Sequence, residues 1–142
     1  MPRKILLPVG NRVRDPETLF SLIGSLVLPD DKITIFHVIT APETTPLDKE
    51  DFSYLIKEKE KLLESICETL SAKGLKVEKK VGIARDVAEA IVSEAEEGNY
   101  DLILMLKRSR KGLIDRVFRR SISSRVACST RKPVVTILVD ET

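Results

Sequence analysis

Residues 33–39 read ITIFHVI, and this stretch decides the fold class. Apolar side chains occupy both its odd and its even positions, so a strand formed here is covered on both of its faces. Residues 5–9, 102–106 and 133–139 are similar short apolar runs. At residues 77–81 the run is interrupted by charged side chains, as in an edge strand. The sequence therefore predicts five strands, most of them buried on two sides.

Amphipathic stretches separate these strands. Asp15 and Pro16 together predict the start of a first helix, because Asp is a good capping residue and Pro suits the first helical position. Its apolar face continues to Val27, and we expect the helix to end at Pro29. Asp86 predicts the start of a third helix in the same way, and Gly98 its end.

The second and fourth helices follow from apolar periodicity. The second is expected to end at Gly74. The inward faces are expected to carry Phe52, Leu55, Ile56, Leu62, Leu63, Ile66, Cys67 and Leu70 in the second helix, and Leu113, Val117, Phe118, Ile122 and Val126 in the fourth.

Alternating strands and helices predict an α/β fold over a single domain of residues 1–142. Parallel strands with right-handed helical crossovers give a three-layer α/β/α sandwich, doubly wound in the Rossmann-like or flavodoxin-like manner. Ligands bind such sheets beyond the carboxyl ends of the central strands. The loops at residues 10–14, 40–45 and 107–112 are therefore the candidate ligand loops.

Composition excludes several classes of protein. No apolar run approaches the roughly 20 residues of a membrane span, and the run after Lys4 is too short for a signal peptide core. Two cysteines and a single histidine make no zinc site. We expect a cytoplasmic protein without a metal and without membrane insertion.

The net charge of +2 is a cancellation of two opposed regions. Residues 107–132 hold ten basic residues and one acid, which gives +9, whereas the rest of the chain holds fourteen basic and 21 acidic residues, which gives −7. The basic segment is either a solvated helix face or an anion site, since a helix N-terminus after a strand favours negative charge. With few aromatic residues among these charges, nucleic acid is not an expected partner.

Several short pieces, taken in order, resemble the universal stress protein family over essentially the full chain. These pieces are residues 4–9 (KILLPV), 33–38 (ITIFHV), 101–105 (DLILM), 111–113 (KGL), Ser121 and 132–135 (KPVV). The resemblance implies a five-stranded parallel sheet in the order 3-2-1-4-5. It also implies a homodimer paired through the last strand, with Val134, Val135, Ile137 and Val139 at the interface.

Family members that bind ATP carry a Gly-x2-Gly-x9-Gly-Ser/Thr motif after the fourth strand. In one register, Leu106, Ser109 and Arg120 occupy the three glycine positions of this chain. In the other register, Lys107 and Arg110 take the first two positions. Neither register contains a glycine, and a Cβ at these positions fills the space where a phosphate would approach the main chain.

The loop after the first strand also differs from that of the family members that bind ATP, which usually have Asp where this chain has Gly10. We therefore expect no cofactor and no ATP binding in the family's usual mode. The alternative is a protein that binds ATP or another nucleotide or anion through its basic loop. The candidate ligand residues are Gly10, Val38, Lys107, Arg108, Ser109, Arg110, Gly112, Arg120 and Ser121.

No catalytic constellation is evident, and we expect a non-enzyme without catalytic residues. His37 lies in an apolar strand and is interpreted as a packed histidine. Cys67 and Cys128 are interpreted as core thiols. The leading hypothesis is a homodimeric stress-response module that acts through an unknown protein partner, with a regulatory domain of a transporter or sensor as a further possibility.

Overall fold

Five strands and four helices alternate along the residues that the computed structural model describes, which are 2–10, 15–41, 52–109 and 122–140, with backbone alone at 108, 109 and 140. The elements in chain order are β1 (Lys4–Pro8), α1 (Pro16–Ile23), β2 (Lys32–Thr40), α2 (Ser53–Ala72), β3 (Lys76–Ala84), α3 (Val87–Glu97), β4 (Leu102–Ser109), α4 (Ile122–Ser129) and β5 (Val134–Asp140).

The strands form one sheet in the order β3-β2-β1-β4-β5, and every neighbouring pair is parallel. The central strand β1 pairs with β2, where Ile5 lies opposite Ile33, and with β4, where Ile5 lies opposite Leu102. The predicted α/β fold and the strand order implied by the resemblance are confirmed.

Both faces of the sheet are buried, because successive side chains of a strand point to opposite faces. Ile5 and Leu7 pack with residues of α1 and α2, whereas Leu6 packs with residues of α3 and α4. All three of these β1 side chains have no exposed surface. The sheet is therefore the middle of three layers.

The predicted helix starts are confirmed by side-chain caps. The Asp15 carboxylate accepts a hydrogen bond from the backbone N–H of Thr18 at 3.3 Å, and the Asp86 carboxylate accepts one from that of Glu89 at 3.0 Å. Each cap satisfies a donor that the first helical turn leaves open. Gly74 follows α2 with φ +93°, a conformation that favours glycine.

Helix α1 is shorter than predicted, ending at Ile23 rather than near Pro29. Gly24 closes it by donating to the Phe20 carbonyl, and Gly lowers helix propensity there. The next residues form a turn in which the Leu28 N–H donates to Asp31 Oδ2 at 2.8 Å. Val27 is still buried, but it reaches the core from this turn.

Some side chains that were expected to face inward are exposed. In α2, Leu63, Ile66 and Leu70 point into the core, while Leu55 and Leu62 lie on the flank of the helix at 39% and 43% exposure. In α4 the inward residues are Ser123 and Val126, and Ile122 is 44% exposed. The periodicity gave the buried stripe of α2 correctly but overestimated its width.

Arg3 and Asp31 join the start of β1 to the turn that precedes β2. Arg3 Nε and Nη2 donate to the two carboxylate oxygens of Asp31 at 3.1 and 2.6 Å. Asp31 is only 2% exposed, and the Arg3 guanidinium holds the pKa of its carboxyl below the ordinary 3.8. This pair fixes the β1–β2 register at the amino end of the sheet.

We expect Asp31→Asn to lower the free energy of unfolding by about 1–3 kcal/mol, because it leaves charge-assisted hydrogen bonds of a buried group unmade. The matched control is Asp30→Asn, whose carboxylate is exposed and 3.6 Å from Lys76, and whose effect should stay within about 0.5 kcal/mol. Urea unfolding at pH 7 measures both.

The contribution of Asp31 should depend on pH in a defined direction. Because the folded state lowers its pKa, the stabilisation is complete above the unfolded-state value and is lost as the pH falls through the folded-state value. Equal urea midpoints for the Asp31→Asn and Asp30→Asn proteins would contradict this role.

Candidate functional site

The carboxyl edge of the sheet, defined here as the ends of β1, β2 and β4, is where the topology brings the candidate ligand residues together. Since all strands are parallel, the chain leaves β1 at Pro8, β2 at Thr40 and β4 at Ser109 on this one edge. The N-termini of α1, α3 and α4 face the same edge. This is the usual position of ligands in open α/β sheets.

The first part of the site is the junction of β1 and β2. The Val9 N–H donates to the Phe36 carbonyl at 2.8 Å, and His37 Nδ1 lies 3.0 Å from the Val9 carbonyl oxygen. His37 is 3% exposed, and burial lowers its pKa below 6.5. The interpretation of His37 as a packed histidine is confirmed.

Gly10 and Val38 flank this junction. Gly10 is exposed, and a Cβ built on it would meet no atom within 4 Å. Val38 is buried on the face that packs with α3 and α4, opposite Gly82 of β3.

The end of β4 differs from the predicted loop. Lys107, Arg108 and Ser109 continue the strand and pair with Leu138, Val139 and Asp140 of β5. Leu106 packs its side chain against the core of the α1 and α2 face. The strand is longer than predicted because β5 supplies a partner along its full length, a long-range pairing that local composition does not report.

An ion pair connects the two helices that face this edge. Arg125 Nη2 of α4 donates to Asp86 Oδ2 at 2.7 Å, while Oδ1 of the same carboxylate caps α3. The Arg125 guanidinium, together with the Glu89 backbone N–H, holds the pKa of Asp86 below 3.8. The pair anchors the first turns of α3 and α4 to each other. Nothing in the sequence spacing of 39 residues indicates this contact.

The predicted ligand residues are only partly described. Gly10, Val38 and Lys107 lie on the carboxyl edge, and the backbones of Arg108 and Ser109 end β4. Arg110, Gly112, Arg120 and Ser121 lie outside the described residues, as do Leu113, Val117 and Phe118 of the predicted fourth helix.

The two cysteines differ in their exposure. Cys67 is half-buried, and burial raises the pKa of its thiol. Cys128 is exposed on α4, so the expectation of a core thiol is wrong for this residue.

Within the described ranges there is no cluster of three or more His, Cys, Asp or Glu side chains placed to hold a metal. In those same ranges, none of the helices has the length and apolar character needed to cross a membrane.

Strand β5 presents an apolar edge at the side of the sheet. No described strand pairs with its outer side, and residues 134–139 carry no charge. Leu138 is 66% exposed and Val135 is 37% exposed, on opposite faces of the sheet. The interface expected from the sequence did not include Leu138. Neighbouring side chains of a strand point to opposite faces, so Leu138 lies on the face opposite to that of the buried Val139.

The fold defines an open parallel α/β protein of the doubly wound class. The family model described as the universal stress protein family matches residues 1–137, and the chain belongs to that family.

Solved structures share this fold. The hypothetical protein MJ0577 has a TM-score of 0.73 at 23% identity, over 100% of this chain and 99% of its own. The universal stress protein from Archaeoglobus fulgidus in complex with dAMP has a TM-score of 0.59 at 18% identity, over 96% of both chains. An Arabidopsis thaliana family protein with AMP bound has a TM-score of 0.60 at 21% identity, over 96% and 92%. The search of curated proteins gives no match.

We expect a double-mutant cycle of Asp86→Asn and Arg125→Gln to give a coupling energy of about 0.5–1 kcal/mol, because the pair is well aligned but partly exposed. Asn keeps a side-chain acceptor at the helix cap, so the cycle isolates the ion pair. Urea unfolding of the four proteins at pH 7 measures the coupling.

The coupling should vanish as the pH falls through the lowered pKa of Asp86, since protonation removes the carboxylate charge. The Lys79–Glu64 pair, at 3.6 Å, is the matched control and should give a smaller coupling. A coupling of zero at pH 7 for Asp86 and Arg125 would mean that they do not hold the helices together.

Proposed function

We propose that this protein is a regulatory module of the universal stress protein family that forms a homodimer through β5 and does not bind ATP in the family's usual mode. The observation that carries the proposal is the β4–β5 pair. In this pair, β4 continues as a strand where the family's motif has glycines, and β5 presents a long uncharged edge. The module would be a single domain over residues 1–142, cytoplasmic and without catalytic activity, acting through a protein partner.

The two edges of the sheet support dimerisation through β5 specifically. Edge strand β3 carries four exposed charged residues, Lys76, Glu78, Lys79 and Lys80. Such charges discourage pairing with another strand. Strand β5 has no charged residue between Val134 and Val139, and its Leu138 and Val135 side chains are exposed. Val134 and Ile137 are half-buried and Val139 is buried, so these residues would contribute mainly backbone hydrogen bonds.

The structure around the first two glycine positions supports the absence of ordinary ATP binding. In one register the first position is Leu106, whose side chain packs into the core. In the other register it is Lys107, which lies in the ladder opposite Leu138. At Leu106, Lys107 and Ser109 the main chain belongs to β4 and carries a Cβ, so a phosphate would lose the close approach that glycine allows. Arg110, the second position of the other register, lies outside the described residues.

Nucleotide or anion binding through the basic segment is the second candidate function. Lys107 is half-buried at the carboxyl edge, and proteins of the same fold are described with AMP and with dAMP. A monophosphate demands less of the loop than a triphosphate. In this reading Gly10, Val38, Lys107, Arg108, Ser109, Arg110, Gly112, Arg120 and Ser121 would surround the ligand.

We expect the protein to sediment at twice its 15.9 kDa mass at micromolar concentration, and Leu138→Lys to weaken the dimer by about tenfold or more. The reason is that burying a Leu side chain stabilises an interface by about 1.5–3 kcal/mol, which Lys forfeits. Sedimentation velocity over a concentration series measures the dissociation constant.

Leu28→Lys is the matched control, since Leu28 is 58% exposed in the turn before β2 and far along the chain from β5. It should leave the dissociation constant unchanged. A wild-type protein that stays monomeric at micromolar concentration rules out the dimer, and equal weakening by both variants rules out β5 as the interface.

We expect calorimetric titration with ATP, ADP, AMP and cAMP at low and moderate salt to show no micromolar binding. Gly10→Asp, which reinstates the residue of family binders, should fold normally because its Cβ meets no obstacle, and it should not create ATP binding by itself.

Micromolar binding of any of these nucleotides that is weakened by Arg120→Ala would favour the second candidate function instead. Arg131→Ala is the control for general charge, because Arg131 is exposed at the opposite, amino end of β5. Equal weakening by both variants would indicate nonspecific attraction by the basic segment.

A further inference from the structure

We propose that His37 is a proton-sensitive latch that holds the end of β1 against β2, and that acidification releases the carboxyl edge of the sheet. His37 is the single histidine of the chain. Its position one residue beyond the last β1–β2 register pair, Pro8 with Phe36, places it where that junction ends.

The tautomer of His37 follows from its partner. A carbonyl oxygen only accepts hydrogen bonds, so Nδ1 carries the hydrogen that is donated to Val9. In the neutral ring Nε2 is then a bare acceptor. Nε2 is buried and has no hydrogen-bond partner among the described residues. A buried neutral acceptor without a partner is tolerated at modest cost, whereas a charged N–H in its place is not.

Burial, the largest influence on the pKa of His37, opposes protonation, whereas the hydrogen bond to the Val9 carbonyl favours it. Lys59 of α2 adds a positive charge that disfavours the imidazolium. Val81 lies opposite on β3, and the nearest charge on that strand's same face, Lys79, is paired with Glu64 at 3.6 Å. Val9 of β1 contributes a carbonyl that the neutral ring already uses. No described carboxylate is among the groups that act on the ring, so none would accept a hydrogen bond from a second N–H.

The ring therefore gains a proton readily only when it reaches water. The shortest route is separation of the Val9–Gly10 segment from β2, which breaks two hydrogen bonds, Val9 N–H to Phe36 and His37 to Val9. Exposed Gly10 allows this segment to move. An opening that takes up one proton becomes about tenfold more populated for each pH unit below the free imidazole value.

The latch predicts that the free energy of unfolding is highest above pH 6.5 and falls as the pH drops below that value. The reason is that the folded-state pKa of His37 lies below the unfolded-state value. Nitrogen-15 NMR of the single imidazole should show the Nδ1–H tautomer at pH 7.5. Protection of the Val9 amide against hydrogen exchange should fall about fivefold between pH 6.5 and pH 5.5, where the opened imidazole goes from half to nearly fully protonated. The Asp101 amide, bonded to the Lys4 carbonyl at the other end of β1, should keep its protection.

His37→Asn keeps a donor near the position of Nδ1 but does not titrate, so protection of the Val9 amide should become independent of pH. If this variant does not fold, Lys59→Gln serves instead and should raise the His37 pKa. Lys57→Gln, an exposed neighbour on α2, should leave it unchanged. A His37 pKa at or above 6.5, or equal loss of protection at Val9 and Asp101, would overturn the latch. These measurements use the protein without any nucleotide, so their outcome is independent of the proposed function.

Discussion

Burial of the central strands on both faces is the constraint on which the rest of the structure depends. Ile5, Leu6 and Leu7 alternate between the two faces, and all are fully buried. Helices must therefore cover the sheet on both sides, and parallel strands need such crossovers in any case. One consequence is that every strand ends at the same edge. Backbone groups there have no ladder to join, and functional residues concentrate at that edge for this reason.

The features of the fold that could be predicted from the sequence are those with local causes. Asp15 and Asp86 cap their helices within three residues, so their side chains mark the starts without tertiary information. The end of α1 at Gly24 has a local cause too, but the turn that follows it depends on a contact made far along the chain. Asp31 fixes the turn after α1 and is itself fixed by Arg3, 28 residues away. Strand order came from the family resemblance, since periodicity alone does not order parallel strands.

The candidate site was predictable in its chemistry and its place, and less so in its geometry. The cluster of basic residues and the loss of glycine are visible in the sequence. Whether Lys107 belongs to a loop or a strand depends on its pairing with Leu138, a contact across 31 positions of the chain. The exposure of Leu138 and the bond between Arg125 and Asp86 have the same long-range origin. Local sequence patterns do not predict such long-range contacts.

The long pairing of β4 with β5 links the two parts of the proposed function at the carboxyl edge. A glycine turn directly after Met105 would end β4 early and leave the last residues of β5 without a ladder. Here the register runs unbroken from Ile103 opposite Val134 to Ser109 opposite Asp140. The residues from Leu106 to Ser109 therefore extend the pairing of β4 with β5, and a longer β5 would offer a partner strand a longer edge. The extended pair of strands is therefore the single structural feature on which both parts of the proposed function rest.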